Sequence, residues 1–198
     1  MTLNKERCMA SVTGFQQQLS QDLIRQAQTG DMQAFERIYQ TYADACYTLA
    51  FRISGNRTLA QDVVQEVFIK VINKINGYRN EGHFAGWLRR IAANETINRL
   101  RSETRLHLVG DDQVENHPAN SLFEIDWLNA CRDLSGLLNQ LNTTSRAVLL
   151  LHEVEGYSHK EIAKMYKKSE SFSKITLSRA FAQLRGSVLK QEQKNALN

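Results

Sequence analysis

The sequence predicts an all-α protein: two small helical domains joined by a linker, the second carrying a helix-turn-helix. Three observations predict it. The 198 residues include one proline and ten glycines, too few breakers for a chain of many turn-linked strands. Apolar residues recur at helical spacing over most of the length. The periodicity lapses over residues 103–126, where Gly110-Asp111-Asp112, Asn116-His117 and the single Pro118 fall together. At about 100–200 residues per domain, this length admits one domain or two small ones.

Each element follows in order. Residues 1–19 form an N-terminal extension, and Leu19 to Gln28 a short helix before Gly30. Asp31 opens a long helix whose apolar stripe runs Ala34, Phe35, Ile38, Tyr42, Ala45, Cys46, Leu49, Ile53, and Ser54-Gly55-Asn56 stops it. A second stripe, Val64, Val67, Phe68, Val71, Ile72, Ile75, ends at Asn76-Gly77. A third begins near Phe84 and includes Trp87, Leu88, Ile91 and Ala92, closing a module over 20–102. Cys46 lies on the apolar face and reads as core. The second module, 127–190, starts near Trp127 with Leu134, Leu137, Leu138 and Leu141 in one stripe. Thr143 or Thr144 caps the next helix, and Gly156 ends it. Ser158-His159-Lys160-Glu161 has the form of a capping box. A short helix to Tyr166, a turn at Lys167–Ser171 and a longer helix to about Lys190 outline a helix-turn-helix. Residues 191–198 are a tail.

Charge follows the same division. Residues 1–102 carry 13 Lys/Arg and 9 Asp/Glu, 103–133 carry 2 and 7, and 134–198 carry 10 and 5. Two basic modules around an acidic linker suit a protein that meets a polyanion at two places, although ordinary surface charge gives the same count. The three scattered cysteines suggest reduced thiols in the cytoplasm. The longest aliphatic run, Ala147–Leu151, is too short to cross a bilayer, and the first twenty residues show no secretory h-region.

Two constellations point to nucleic acid. Residues 158–190 hold eight Lys/Arg against two Glu. A recognition helix offers its first turns to base edges while flanking cations hold phosphates. Ser171, Ser173, Lys174, Ser178 and Arg179 sit near the start or on the polar face, whereas Ile175, Phe181 and Leu184 are placed to pack inward. Lys174 and Ser178 are assigned to base edges, Arg179 to base edges or the adjoining phosphate, and Lys160 and Lys167 to phosphates. A merely solvated basic helix is the plain alternative. In the first module, Arg79, Arg89, Arg90, Arg99 and Arg101 surround Tyr78, His83, Phe84 and Trp87. Rings interleaved with arginines suit single strands, since bases stack on rings while guanidinium groups follow the backbone. Phe84 and Leu88 read as core; Trp87 suits either role.

Asp62-Val63-Val64-Gln65-Glu66-Val67-Phe68 resembles the D-x-x-Q-E-x-F signature of region 2 in bacterial sigma factors. Tyr78–Leu88 and Arg90-Ile91-Ala92-Ala93-Asn94 resemble the next part of that region. Leu149–Ser158, with Glu161-Ile162-Ala163 and Leu177-Ser178-Arg179-Ala180, resembles region 4. Two such modules with no domain between them are similar to the extracytoplasmic-function (ECF) branch of the sigma-70 family.

The resemblance implies a factor that binds core RNA polymerase, directs it to promoter DNA and promotes DNA opening, with an anti-sigma factor as a further partner. It implies a polymerase-facing surface at Asp62, Gln65 and Glu66. It implies minus-ten contacts at Asn80, His83, Trp87, Arg90, Asn94, Asn98 and Arg101, with a flipped base held by the loop Asn80–His83. Region 4 would read the minus-thirty-five element. Departures are visible. The family usually has Asp at Asn98, an apolar residue at Glu95, Gly followed by an apolar residue at Lys167-Lys168, Gly-Thr-Val at Ser171-Phe172-Ser173, and often Arg at Thr176.

Enzyme, metal and cofactor motifs are missing from the sequence: no His-Glu-x-x-His, no paired-cysteine spacing, no phosphate-binding glycine loop and no Gly-x-Ser-x-Gly. The expectation is therefore no catalytic residue, no metal, no cofactor and no membrane insertion. The rival reading is a helix-turn-helix regulator that binds duplex DNA without being a polymerase subunit.

Overall fold

The computed structural model describes residues 14–79, 83–107 and 136–195. Asn80, most of the expected linker, the Trp127–Leu134 start of the second module and the first thirteen residues lie outside the described residues. Every regular element among the described residues is helical. The chain divides into two compact units, with the boundary between Val109 and Gly110.

In the first unit, α1 (Gln21–Gln28) is capped by Ser20, whose hydroxyl accepts from the Leu23 amide. Helix α2 (Met32–Ser54) starts at Asp31, whose carboxylate accepts from the Gln33 amide. It stops at Gly55, held left-handed at φ 70° where a side chain would be strained. Asn56 caps α3 (Arg57–Lys74) through the Leu59 amide, and a 3-10 turn, Ile75–Gly77, closes it. Helix α4 (Phe84–His107) completes the unit, running past residue 102 where periodicity alone places the module's end. Helices α2, α3 and α4 pack on one another. Ile38, Ile53, Val63, Val67, Leu88 and Ile97 are fully enclosed between them, each contributing roughly 1.5–3 kcal/mol of burial.

Part of the expected N-terminal extension belongs to this core. Phe15 is buried and stacks on Tyr42, ring centres 6.2 Å apart. The Tyr42 hydroxyl donates to the Gln17 carbonyl, and burial pushes its pKa up to about 12. Burial pushes the Cys46 thiol up to about 12 as well, which keeps it protonated among apolar neighbours. The amide of Gln28 donates to the carbonyls of Ile75 and Tyr78, 2.9 Å each, tying α1 to the end of α3.

One expectation for α3 is corrected, and a departure on α4 is explained. Ile72 is 53% exposed and Phe68 only half-buried, because the buried stripe is Val63, Val64, Val67, Val71 and Ile75. Residue 72 falls off that face at 100° per residue. Glu95, where the family is usually apolar, is nearly buried and paired with Lys70 across the α3–α4 contact. A buried carboxylate needs such a partner to remain charged.

In the second unit, residues 136–139 are helical. The next cap is Asn142, one residue before the expected threonines; its side chain accepts from the Ser145 amide at 2.8 Å. Helix α5 (Thr143–Leu149) continues as a π-helical turn, Leu150–Val154. Gly156, at φ 73°, turns the chain. Ser158 and Glu161 form the expected capping box at the start of α6 (His159–Tyr166). Helix α7 spans Glu170–Asn195, so the turn before it is Lys167–Ser169, shorter than expected, and the helix enters the expected tail.

Candidate nucleic-acid interface

On α3, Asp62, Gln65, Ile69 and Ile72 recur at i, i+3, i+7 and i+10, which places them along one face. Gln65 is exposed and Asp62 partly so. Ile69 and Ile72 are 52% and 53% exposed. Beside them Phe68 lies against Tyr39, ring centres 4.7 Å apart. Glu66 leans the other way, its carboxylate 3.8 Å from the Arg99 guanidinium on α4. Asp62 and Gln65 are thus one end of a larger surface with an apolar half, and Glu66 stands at its edge toward α4. Ile69 was missed by periodicity because about half a turn separates it from the core stripe.

Along α4 and the residue that precedes it, His83, Trp87, Arg90, Asn94, Asn98 and Arg101 stand at steps of three and four. They line one face about 27 Å long at 1.5 Å per residue. Exposure agrees: His83, Arg90 and Asn98 are exposed, and Trp87, Asn94 and Arg101 half-buried. The opposite side, Phe84, Leu88 and Ala92, is core, so the apolar stripe itself aims the polar one outward. Trp87 is packed on the core and is also partly exposed. Its ring lies 5.2 Å from Tyr78 and 5.3 Å from Phe84, yet it retains exposed area. Tyr78 meets Phe84 edge-on at 88°. The Asn94 amide donates back to the Arg90 carbonyl at 2.7 Å, which fixes its orientation on the helix.

The helix-turn-helix turns on a non-glycine residue. Lys167 sits at φ 53°, ψ 44°. Its amide donates to Lys164 and the Lys168 amide to Ala163, the bond pair of a Schellman cap. A lysine here costs roughly 1 kcal/mol over glycine, but places a cation at the turn. Phe172 rests against Tyr166 at 5.3 Å, where it packs the turn to α6.

Of the side chains expected at the upstream surface, Lys160, Lys167, Ser171, Lys174, Ser178 and Arg179 are exposed. Ser173 is corrected: it is fully buried, and its hydroxyl lies 3.0 Å from His159 Nδ1. Ile175 and Phe181, expected inside, are 50% and 39% exposed, because the core stripe of α7 is Ser173, Leu177 and Ala180. Lys174 pairs with Glu170 at 2.9 Å. That hydrogen bond holds the Glu170 carboxyl below its ordinary range. The His159 ring stacks on His152, centres 4.2 Å apart. Burial first, then His152 and Lys174, lower the His159 pKa. Among the described residues no group of three His, Cys, Asp or Glu is arranged to hold a metal, and no helix is long and apolar enough to cross a membrane.

Sigma-70 region 2 matches residues 38–106, and Sigma-70, region 4 matches residues 131–184. The ECF RNA polymerase sigma factor SigE of Mycolicibacterium smegmatis is 34% identical over 143 residues, covering 68% of this chain and 54% of the relative. The RNA polymerase sigma-H factor of Pseudomonas aeruginosa is 30% identical over 163 residues, covering 74% of this chain and 82% of the relative. The chain belongs to the ECF branch of the sigma-70 family. In its terms, the first unit contains region 2 and the second contains region 4. The chain spans about half the length of several curated relatives, 54% of SigE and 43% of SigW from Bacillus subtilis. The crystal structure of sigma factor RpoE with the anti-sigma factor NepR from Bartonella quintana superposes with a TM-score of 0.52 at 23% identity, covering 80% of this chain and 98% of that one. That likeness supports the fold.

Proposed function

We propose that this chain is an ECF sigma factor that binds core RNA polymerase, brings it to a subset of promoters and helps open the DNA. The observation that carries the reading is the single face of α4, where His83, Trp87, Arg90, Asn94, Asn98 and Arg101 align outward from an apolar core. An arginine- and ring-bearing face of this length suits an unstacked strand more than a closed duplex. Asp62, Gln65 and Glu66, extended by Ile69 and Ile72, form the polymerase-docking surface. An interface core of exposed apolar groups with a polar rim is the usual anatomy of such contacts. Region 4 reads the minus-thirty-five element through α7, with Lys160 and Lys167 on phosphates. Lys174, Ser178 and Arg179 approach base edges, and Ser171 stands at the start of the same face.

The work is done by binding energy, with no covalent step. Polymerase recruitment places the protein in the cytoplasm, and an anti-sigma factor is its proposed inhibitor. The acidic segment 103–126 is proposed to link the two regions. Run-off transcription with purified core polymerase on a genomic promoter library tests the whole reading. Discrete, factor-dependent start sites are expected. Duplex binding without polymerase, together with no transcripts, would establish the regulator reading in its place.

A further inference from the structure

The outward face of α7 holds a residue that a basic helix has no need of. Ile175 is 50% exposed, while Leu177 and Ala180 point into the core. Ser171, Ile175, Ser178 and Ala182 stand at i, i+4, i+7 and i+11, one stripe opposite the buried one, and all four are exposed. The stripe is apolar at Ile175 and Ala182 and otherwise bears only short hydroxyls. Nothing long on it stands in front of Ile175. Lys174 is drawn toward Glu170, one turn back, at 2.9 Å. Arg179, on the other flank, is exposed, as are Lys160 and Lys167 on α6 and its turn. The isoleucine is thus the apolar point of a surface bordered by cations. Such a border matches a polyanion rather than an apolar protein face.

The major groove of duplex DNA presents hydrogen-bonding edges and one apolar group, the 5-methyl of thymine. We infer that Ile175 is a specificity-determining residue that reads a thymine 5-methyl group in the upstream promoter element. The inference rests on the proposed reading of region 4 as the reader of that element. Short neighbours allow the α7 backbone to come close to the groove floor. Lys174 and Arg179 then flank the methyl contact rather than occupy it.

The test uses the full-length protein with core polymerase on a promoter carrying its selected upstream element. Each thymine of that element is replaced in turn by deoxyuridine, which removes only the methyl. At limiting holoenzyme, one replacement is expected to lower the transcript yield about fourfold, the worth of one methyl-sized group leaving a contact. Holoenzyme carrying Ile175→Ala is expected to be indifferent to that same replacement. The DNA arm uses unaltered protein, so folding does not confound it. If scrambling the element abolishes transcription but every deoxyuridine replacement is neutral, or the selected element lacks thymine, the methyl contact is wrong and the region 4 reading stands. If scrambling the element changes nothing, the region 4 reading fails and the inference with it. Loss of polymerase binding by Ile175→Ala without DNA would assign the residue to a protein contact and overturn the inference.

Discussion

Helices α4 and α7 are of similar length, 24 and 26 residues, and each turns a long face outward, but they are furnished differently. The α4 face begins at Trp87, whose ring lies 5.2 Å from Tyr78 and 5.3 Å from the buried Phe84. It continues with arginines and asparagines. The α7 face bears no ring in its first turns, since Phe172 packs on Tyr166; it offers serines, Ile175, Lys174 and Arg179. Rings suit bases already out of the stack, whereas small and forked polar groups suit edges inside a groove. On the proposed function, the same element, a long helix with one buried side, serves opened DNA in one unit and closed DNA in the other.

If the first unit also ties DNA opening to polymerase, its α3 face must be the costliest to damage. Ile69→Asp with Ile72→Asp is expected to weaken core polymerase binding about 100-fold, the scale of interface hot spots. Both residues are more than half exposed, so helicity is expected to be unchanged. Gln65→Ala with Glu66→Lys is expected to cost about tenfold, as an altered rim charge does. Competition binding against labelled protein measures both, and equal effects would move the centre of the interface away from the isoleucines.

Next in size is the split between opening and recognition. His83→Ala with Arg90→Ala is expected to reduce open complex about tenfold, since stacking is worth roughly 1–3 kcal/mol per base. Closed-complex binding should survive. Lys174→Ala with Arg179→Ala should do the reverse, weakening promoter binding while the complexes that do form open normally. Permanganate reactivity beside filter binding separates the two. A common defect in both pairs would erase the division of labour between the helices.

The α4 face was legible through the family resemblance, and the core stripe of Phe84, Leu88 and Ala92 agrees with where His83, Arg90 and Asn98 point. The α7 face was less legible. Its buried stripe includes Ser173 and Ala180, residues that carry no apolar signal, so the visible hydrophobes Ile175 and Phe181 were assigned to the wrong side. Ser173 is tolerated inside because His159 meets its hydroxyl, a partner fourteen residues away that periodicity does not see. Glu95 occupies a core position that the family usually fills with an apolar residue, and Lys70 makes its charge habitable there. Lys167 shows the converse: the two-helix layout demanded a left-handed residue there whatever its side chain.

Lys167 also separates stability from recognition within the second unit. Lys167→Gly should relieve the left-handed strain and stabilise that unit by roughly 1 kcal/mol. It should also remove a phosphate contact, lowering the salt slope of promoter binding by about one and weakening all upstream sequences alike. Thermal melting and binding at several salt concentrations check the two effects. A more stable unit with an unchanged salt slope would leave Lys167 as a structural oddity.

The smallest expected effect is a pH dependence confined to the second unit. His159 titrates below its ordinary value of 6.5, because its ring is partly desolvated, stacked on His152 and close to Lys174, while Glu170 and Glu153 oppose the shift. Between the folded and ordinary values the unfolded chain binds more protons, so stability falls as pH falls through that window and is full above it. The Glu170 carboxyl, held low by Lys174, loses its contribution only as pH falls below the ordinary carboxylate range. Comparing pH 7 with pH 5 therefore addresses the histidine. The ring signals of Tyr157 and Tyr166, both buried in this unit, report its urea midpoint in the full-length protein. The midpoint should drop at pH 5, and His159→Gln should flatten that drop while retaining a polar partner for Ser173. Equal drops in the two proteins would place the acid sensitivity outside the contact that joins α6 to α7.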